Sequence, residues 1–282
     1  MSLRIAYGTN GLAYHRLDDA LALLADCGYD GVALTLDHHH LDPFAPDLPA
    51  RVGRLARRLD DLGLAVGVET GARFLLDPRR KHSPNLLSDE GRERRLDFYG
   101  RAIAIAAELG AETVSLWSGT AAPGTSREVA WERLLQGCAT LLELAADFGV
   151  MLGFEPEPGM LVERLDDYEQ LLAALDDPPR LGLTLDLGHC VVVDDPIVDS
   201  IRRAGPRLVN VHIEDMRSGV HDHLDFGEGE LDFPAALAAL RDAGYEGLVG
   251  VELSRHGHTA DTVVPRSIRF LREAERMVTS LR

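Results

Sequence analysis

Two kinds of apolar pattern alternate along this chain. Short runs of aliphatic and β-branched residues fall at Arg4–Tyr7, Val32–Leu36, Ala65–Glu69, Thr113–Trp117, Met151–Glu155, Leu181–Asp186, Leu208–His212 and Leu248–Glu252. Their length and composition predict buried strands. Between them lie longer stretches with apolar residues at i, i+3, i+4 and i+7, which predict amphipathic helices. Leu17–Cys27 shows the period through Leu17, Ala20, Leu21, Leu24 and Cys27, and it returns in Leu55–Leu62, Leu96–Leu109, Val129–Phe148, Tyr168–Leu175, Ile197–Ala204, Phe233–Ala243 and Ile268–Val278. The chain therefore reads as strand–helix units in strict alternation.

The punctuation agrees. Gly28, Gly63, Gly110, Gly149 and Gly244 each stand just past a periodic stretch, where a left-handed cap ends a helix, and a new strand follows closely. A closed (β/α)8 TIM barrel occupying residues 1–282 as a single domain is the expectation. An open doubly wound sheet is the rival, but Gly8-Thr9-Asn10-Gly11 lacks the spacing of a phosphate-binding glycine loop. Long loops follow strand three (Thr70–Gly91) and strand seven (Asp215–Asp232), on the face where such barrels place their chemistry.

Composition narrows the function. The 282 residues carry 46 acids against 29 Lys plus Arg, a net charge of −17. That surplus argues against nucleic acid and an anionic membrane as partners, because both are bound through neutralising cations. No apolar segment is long enough to span a bilayer, and the first residues run into a strand without a signal-peptide core. Cys27, Cys138 and Cys190 are odd in number and widely spaced, which suits a reducing cytoplasm. Assembly into a homo-oligomer stays open.

Four consecutive strands end in a metal-capable side chain: Glu155, Asp186, His212 and Glu252. In a barrel these ends are neighbours at one rim. Three carboxylates and one imidazole suit Mn²⁺, Co²⁺, Zn²⁺ or Mg²⁺, and crowding the carboxylates without a cation is costly. Capping of helices or pairing with Arg is the plainer alternative for any single one of them.

The segments Phe154-Glu155-Pro156, Leu185-Asp186-Leu187-Gly188-His189, Val211-His212-Ile213-Glu214-Asp215, Phe226-Gly227-Glu228-Gly229 and Val251-Glu252 resemble the xylose isomerase-like TIM-barrel superfamily. That group includes ketose 3-epimerases, hydroxypyruvate isomerases, inosose dehydratases and, more distantly, the endonuclease IV group. The resemblance implies one divalent metal held by Glu155, Asp186, His212 and Glu252, with Glu155 and Glu252 as the acid/base pair. It also implies substrate contacts from His189 and Arg217, and beside them Glu214 and Asp215 read as groups that orient their neighbours. The implied reaction is isomerisation or epimerisation of a small polyhydroxylated carbonyl compound, a sugar or sugar phosphate, by proton transfer through an enediolate.

His221 and His223 lie where the endonuclease IV group binds extra zinc, and they read as substrate contacts, a second metal site or an ordinary loop. Strands three and four end in Glu69-Thr70-Gly71 and Trp117-Ser118-Gly119, without that group's histidines, so a zinc phosphodiesterase is disfavoured. A lyase of the inosose dehydratase kind is the runner-up, and a sugar- or metal-binding regulatory protein the non-enzymatic alternative. Phe74 and Trp117 are candidate pocket walls, Arg79-Arg80-Lys81-His82 a solvated loop, an oligomer contact or an anion clamp, and His38-His39-His40 a loop.

Overall fold

The structure is a computed structural model that describes residues 2–280. The elements follow in chain order: β1 (Arg4–Gly8), α1 (Leu17–Cys27), β2 (Gly31–Thr35), α2 (Leu48–Leu62), β3 (Ala65–Glu69), α3 (Arg92–Leu109), β4 (Val114–Leu116), α4 (Arg127–Phe148), β5 (Leu152–Phe154) and α5 (Leu165–Ala174). Then come β6 (Leu181–Asp186), α6 (Leu187–Val192), α7 (Ile197–Ala204), β7 (Leu208–Ile213), β8 (Asp215–Arg217), β9 (Val220–Leu224), α8 (Phe233–Asp242), β10 (Leu248–Val251) and α9 (Ala260–Ser280).

Eight of the strands close into a barrel in the order β1-β10-β7-β6-β5-β4-β3-β2, every pairing parallel. The expected (β/α)8 architecture is therefore present. Its strands are buried along nearly their whole length, which is why they read as continuous apolar runs rather than as alternation. The amphipathic helices cover them, burying Leu21 and Leu24 from α1, Phe98 and Ile103 from α3, and Leu134 and Leu141 from α4. α1 and α4 end at Gly28 (φ 84°) and Gly149 (φ 73°), in the left-handed conformation that glycine adopts without strain.

Several features differ from the sequence reading; α9, for one, begins at Ala260 rather than near Ile268. α2 begins at Leu48 rather than near Leu55. A helix of six residues, α6, follows β6 directly and is too short to show a period. The segment after β7 is not a plain loop: β8 and β9 pair antiparallel within it. β9, Val220-His221-Asp222-His223-Leu224, is polar and partly exposed, so it carries no apolar signature of a strand.

The segment between β3 and α3 is tied down. Arg95 is fully buried, and its guanidinium donates to the carbonyls of Pro84 (2.8 Å), Thr70 (3.2 Å) and His82 (3.4 Å). The same group lies 4.7 Å from the centre of the Trp117 ring. His82 accepts this anchoring from a second side, its backbone N–H donating to Arg73 O at 2.6 Å.

Candidate metal centre and substrate cavity

Glu155 and Glu252 are the residues immediately after β5 and β10, Asp186 ends β6, and His212 is the penultimate residue of β7. Parallel register sets Asp186 against His212 and His212 against Gly250. One donor atom from each of Glu155, Asp186, His212 and Glu252 falls within 4.8 Å of all the others. His212 Nδ1 is 3.1 Å from Glu155 Oε1 and 3.3 Å from Glu252 Oε2. Asp186 Oδ1 accepts from the backbone N–H of His189 at 2.9 Å and so caps α6. Its Oδ2 is buried with no hydrogen-bond partner among the described residues. Three carboxylates crowded round one imidazole, with an orphaned carboxylate oxygen among them, form a donor set that fits a divalent cation.

The outer oxygens of the two glutamates are also held. Asn10 Nδ2 donates to Glu252 Oε1 at 2.9 Å, and Ser115 Oγ lies 3.4 Å from Glu155 Oε2. The opposite nitrogen of His212 is taken by Glu69, whose Oε1 is 3.0 Å from Nε2 and also accepts from Asn210 Nδ2 at 3.2 Å. Glu69 was missed as a site residue from the sequence, although it ends β3 as the other acids end or follow their strands.

Burial and crowding split the protonation behaviour of these groups. Burial pushes the Glu155 carboxyl up to about 7, with Glu252 and Asp186 adding to the rise and His212 opposing it. Burial works the same way on Glu252, but the imidazoles of His223 and His212 outweigh it and hold that carboxyl below its ordinary value. Burial disfavours charge on His212, yet Glu69 and Glu155 hold it well above the usual imidazole range. Burial lowers His189 to about 4, with the imidazoles of His221 and His223 adding to the fall and Asp186 and Glu252 opposing it. Two carboxylates whose environments drive them apart are suited to opposite roles in proton transfer.

Glu155, His212 and Glu252 open onto a cavity of about 500 Å³. Phe74, Trp117, His189, His221 and His223, all singled out from the sequence, line it. Phe74 is half exposed, whereas Trp117 is buried and meets the edge of His82 at 5.2 Å. His189 Nε2 lies 3.1 Å from His221 Nε2, and His223 joins them within 4.8 Å. The cavity also takes in Asn10, Glu69, Glu157, Arg73, Lys81 and Arg255, none of them a sequence candidate except Lys81 within its basic run.

Arg217 is placed elsewhere. It ends β8 exposed, and its Nε and Nη2 donate to the carbonyl of Glu228 at 3.1 and 2.7 Å, away from the cavity wall. The cationic groups at the wall are instead Arg73, Lys81 and Arg255, the last paired with Asp222. Asp215 accepts from the backbone N–H groups of Gly227 (2.9 Å), Gly229 (2.8 Å) and Leu231 (3.0 Å), and thereby fixes the Gly-Glu-Gly turn. Glu214 is wholly buried beside His223. Of the histidine triplet, His38 pairs with Asp37 and His40 with the carbonyl of His15, and none of the three lines the cavity.

A family model described as xylose isomerase-like TIM barrel matches residues 21–274. The chain is 27% identical over 245 residues to fructoselysine 3-epimerase of Shigella flexneri, a match that covers 84% of this chain and 85% of the relative. It is 27% identical over 139 residues to inosose dehydratase of Lacticaseibacillus casei, covering 43% of this chain and 46% of the relative. The crystal structure of 3-keto-D-glucoside 4-epimerase, YcjR, from E. coli superposes with a TM-score of 0.78 at 18% identity, over 96% of this chain and 100% of that one.

Proposed function

The chain belongs to the xylose isomerase-like TIM barrel family, and we propose that it is a divalent-metal-dependent epimerase or isomerase of a small polyhydroxylated carbonyl compound. The observation that carries this reading is the convergence of Glu155, Asp186, His212 and Glu252 from four strands that neighbour one another round the barrel. These four residues would hold the cation, whether Mn²⁺, Co²⁺, Zn²⁺ or Mg²⁺. When bound, a cation supplies Lewis acidity that polarises a carbonyl and acidifies the adjacent C–H.

The proton itself is moved by Glu155 and Glu252. Glu252, held ionised by His223 and His212 and steadied by Asn10, is suited to removing it. Glu155, raised to about 7, is suited to returning it, and the roles exchange in the reverse direction. The substrate passes through an enediolate, with the wall between Trp117 and the His189, His221 and His223 cluster shaping its seat. Among the described residues no helix is long and apolar enough to cross a membrane. The described cysteines are unpaired, which agrees with work in the cytoplasm.

A lyase is the second reading, supported by the match to inosose dehydratase and by imidazoles at the cavity wall that can protonate a departing hydroxyl. One experiment separates the two. The metal-loaded protein is incubated in deuterated water with a panel of ketoses and inososes. Carbon-bound deuterium without loss of water supports the isomerase; loss of water supports the lyase. Glu155→Gln is expected to lower the exchange rate by about 10²-fold or more, and full exchange in that variant would refute the proton-transfer roles.

A further inference from the structure

A second cavity, of about 700 Å³, adjoins the first. The two share Lys81, His82 and Trp117 as lining residues. The walls of the second come from two segments, one between β3 and α3 and the other between β4 and α4, of which the proposed chemistry uses Trp117 alone. Met160 adds to them from the segment after β5.

These walls are fixed to each other. Asn85 Nδ2 donates across the gap between segments to Thr120 O at 3.0 Å, while Asn85 Oδ1 accepts from Leu87 N at 2.8 Å. Thr120 Oγ1 reaches Gly159 O at 3.4 Å, and Gly119 N donates to Met160 Sδ at 3.2 Å. Arg95 holds Pro84 and His82 from behind. The space is therefore shaped by hydrogen bonds between separate parts of the chain.

The lining mixes small apolar groups, Ala121, Ala122 and Pro123, with polar ones such as Ser83 and Ser88. Of its charged members, Arg80 is paired with Asp77 at 2.8 Å and Asp89 with Arg133 at 2.5 Å, while Lys81 and Glu90 add one charge of each sign to the lining. A wall of hydroxyls and apolar patches matches a sugar ring, which offers hydroxyls at its edge and C–H groups on its faces. Ligand pockets run from roughly 300 to 1,000 Å³, so the metal cavity is large enough for a monosaccharide by itself. The second cavity then has room for another.

We propose that the substrate is a ketose carrying a glycosidically linked second sugar, with the reacting unit in the metal cavity and the attached unit in the adjoining one, past Trp117 and His82. This inference rests on the metal-dependent proton transfer proposed above.

The test uses the full chain loaded with Mn²⁺ and two probes, D-fructose and 6-O-α-D-glucosyl-D-fructose. Solvent deuterium exchange gives kcat/KM for each, and saturation-transfer NMR reports contact with the glucosyl ring. In the native chain the glucosylated ketose is expected to exceed D-fructose by about tenfold in kcat/KM, equivalent to about 1.4 kcal/mol, and its glucosyl protons to receive saturation. Ala122→Trp and Thr120→Trp, both at exposed positions, are expected to bring that ratio near unity and abolish the saturation. Exchange of both sugars at equal rates without glucosyl contact overturns the second sugar site and leaves the reaction standing. Glucosyl contact abolished by both variants, with no exchange of either sugar, upholds the site and overturns the reaction. Glucosyl contact that persists in both variants overturns the site.

Discussion

Glu69 leaves one nitrogen of His212 facing the proposed metal site. Because Glu69 Oε1 sits 3.0 Å from Nε2, the nitrogen that faces Glu155 and Glu252 is Nδ1. With a cation in place, the Nε2–H would donate to Glu69 and leave the Nδ1 lone pair free, the arrangement by which a carboxylate orients a metal-binding imidazole. Without one, both nitrogens have a carboxylate to donate to, which accounts for the raised basicity of this ring. Glu69→Ala is therefore expected to weaken Mn²⁺ binding by about 10- to 100-fold. Glu69→Gln keeps an oxygen acceptor and is expected to lose less. Competition against a fluorescent chelator measures both without reference to turnover. Native affinity in Glu69→Ala would show that Glu69 does not position the ligand.

At the scale of elements, Arg95 on α3 decides whether the long segment after β3 is a wall or a loose flap. Its partners are carbonyls, not carboxylates, and they belong to Thr70, His82 and Pro84 within that segment. Removing the guanidinium would leave buried carbonyls unpaired, at about 1–3 kcal/mol each where water cannot reach. Arg95→Met is expected to lower stability to urea by a few kcal/mol on that basis. It is also expected to speed amide hydrogen exchange in residues 70–84 more than in the barrel strands. Arg95→Lys should recover little, since one ammonium cannot reproduce the planar fork. Uniform protection in Arg95→Met would mean the segment is held by other contacts. None of this was legible in the sequence, where Arg95 stands just ahead of the periodic stretch Leu96–Leu109 and the helix in fact begins at Arg92. The barrel was legible because its strands are buried on both faces and its helices keep their period. β9 and α6 were not, the first being polar and partly exposed and the second six residues long. Arg217 shows the limit of reading by spacing: the turn into β8 directs it to the Glu228 carbonyl instead of the cavity. Glu155, Asp186, His212 and Glu252 could be grouped in advance because each ends a strand, and strand ends are the part of such a barrel that topology alone brings together.

Over the whole molecule, a net charge of −17 is tolerable when the acids are spread over the surface, but several are not. Glu155, Asp186 and Glu214 are buried near one another, with Glu252 partly covered. The metal-free fold therefore carries a like-charge cost at its centre, and a dication would relieve it. The Glu155 carboxyl rises from 4.5 to about 7 on folding, through burial and its acidic neighbours. Between those values the folded chain keeps a proton that the unfolded chain has lost, so the contribution of this group to stability falls as pH rises through that window. In chelator, Glu155→Gln is expected to be more stable than the native chain by roughly 3 kcal/mol at about pH 8, and the difference should shrink at about pH 5. Added Mn²⁺ at about 1,000 times its Kd should stabilise the native chain by about 4.1 kcal/mol, and the variant by much less, reversing their order at the higher pH. Thermal melts of both proteins, with chelator and with Mn²⁺ at each pH, measure all of these differences. Two proteins that melt together under every condition would remove Glu155 from the metal site and the buried charge from the stability of the barrel.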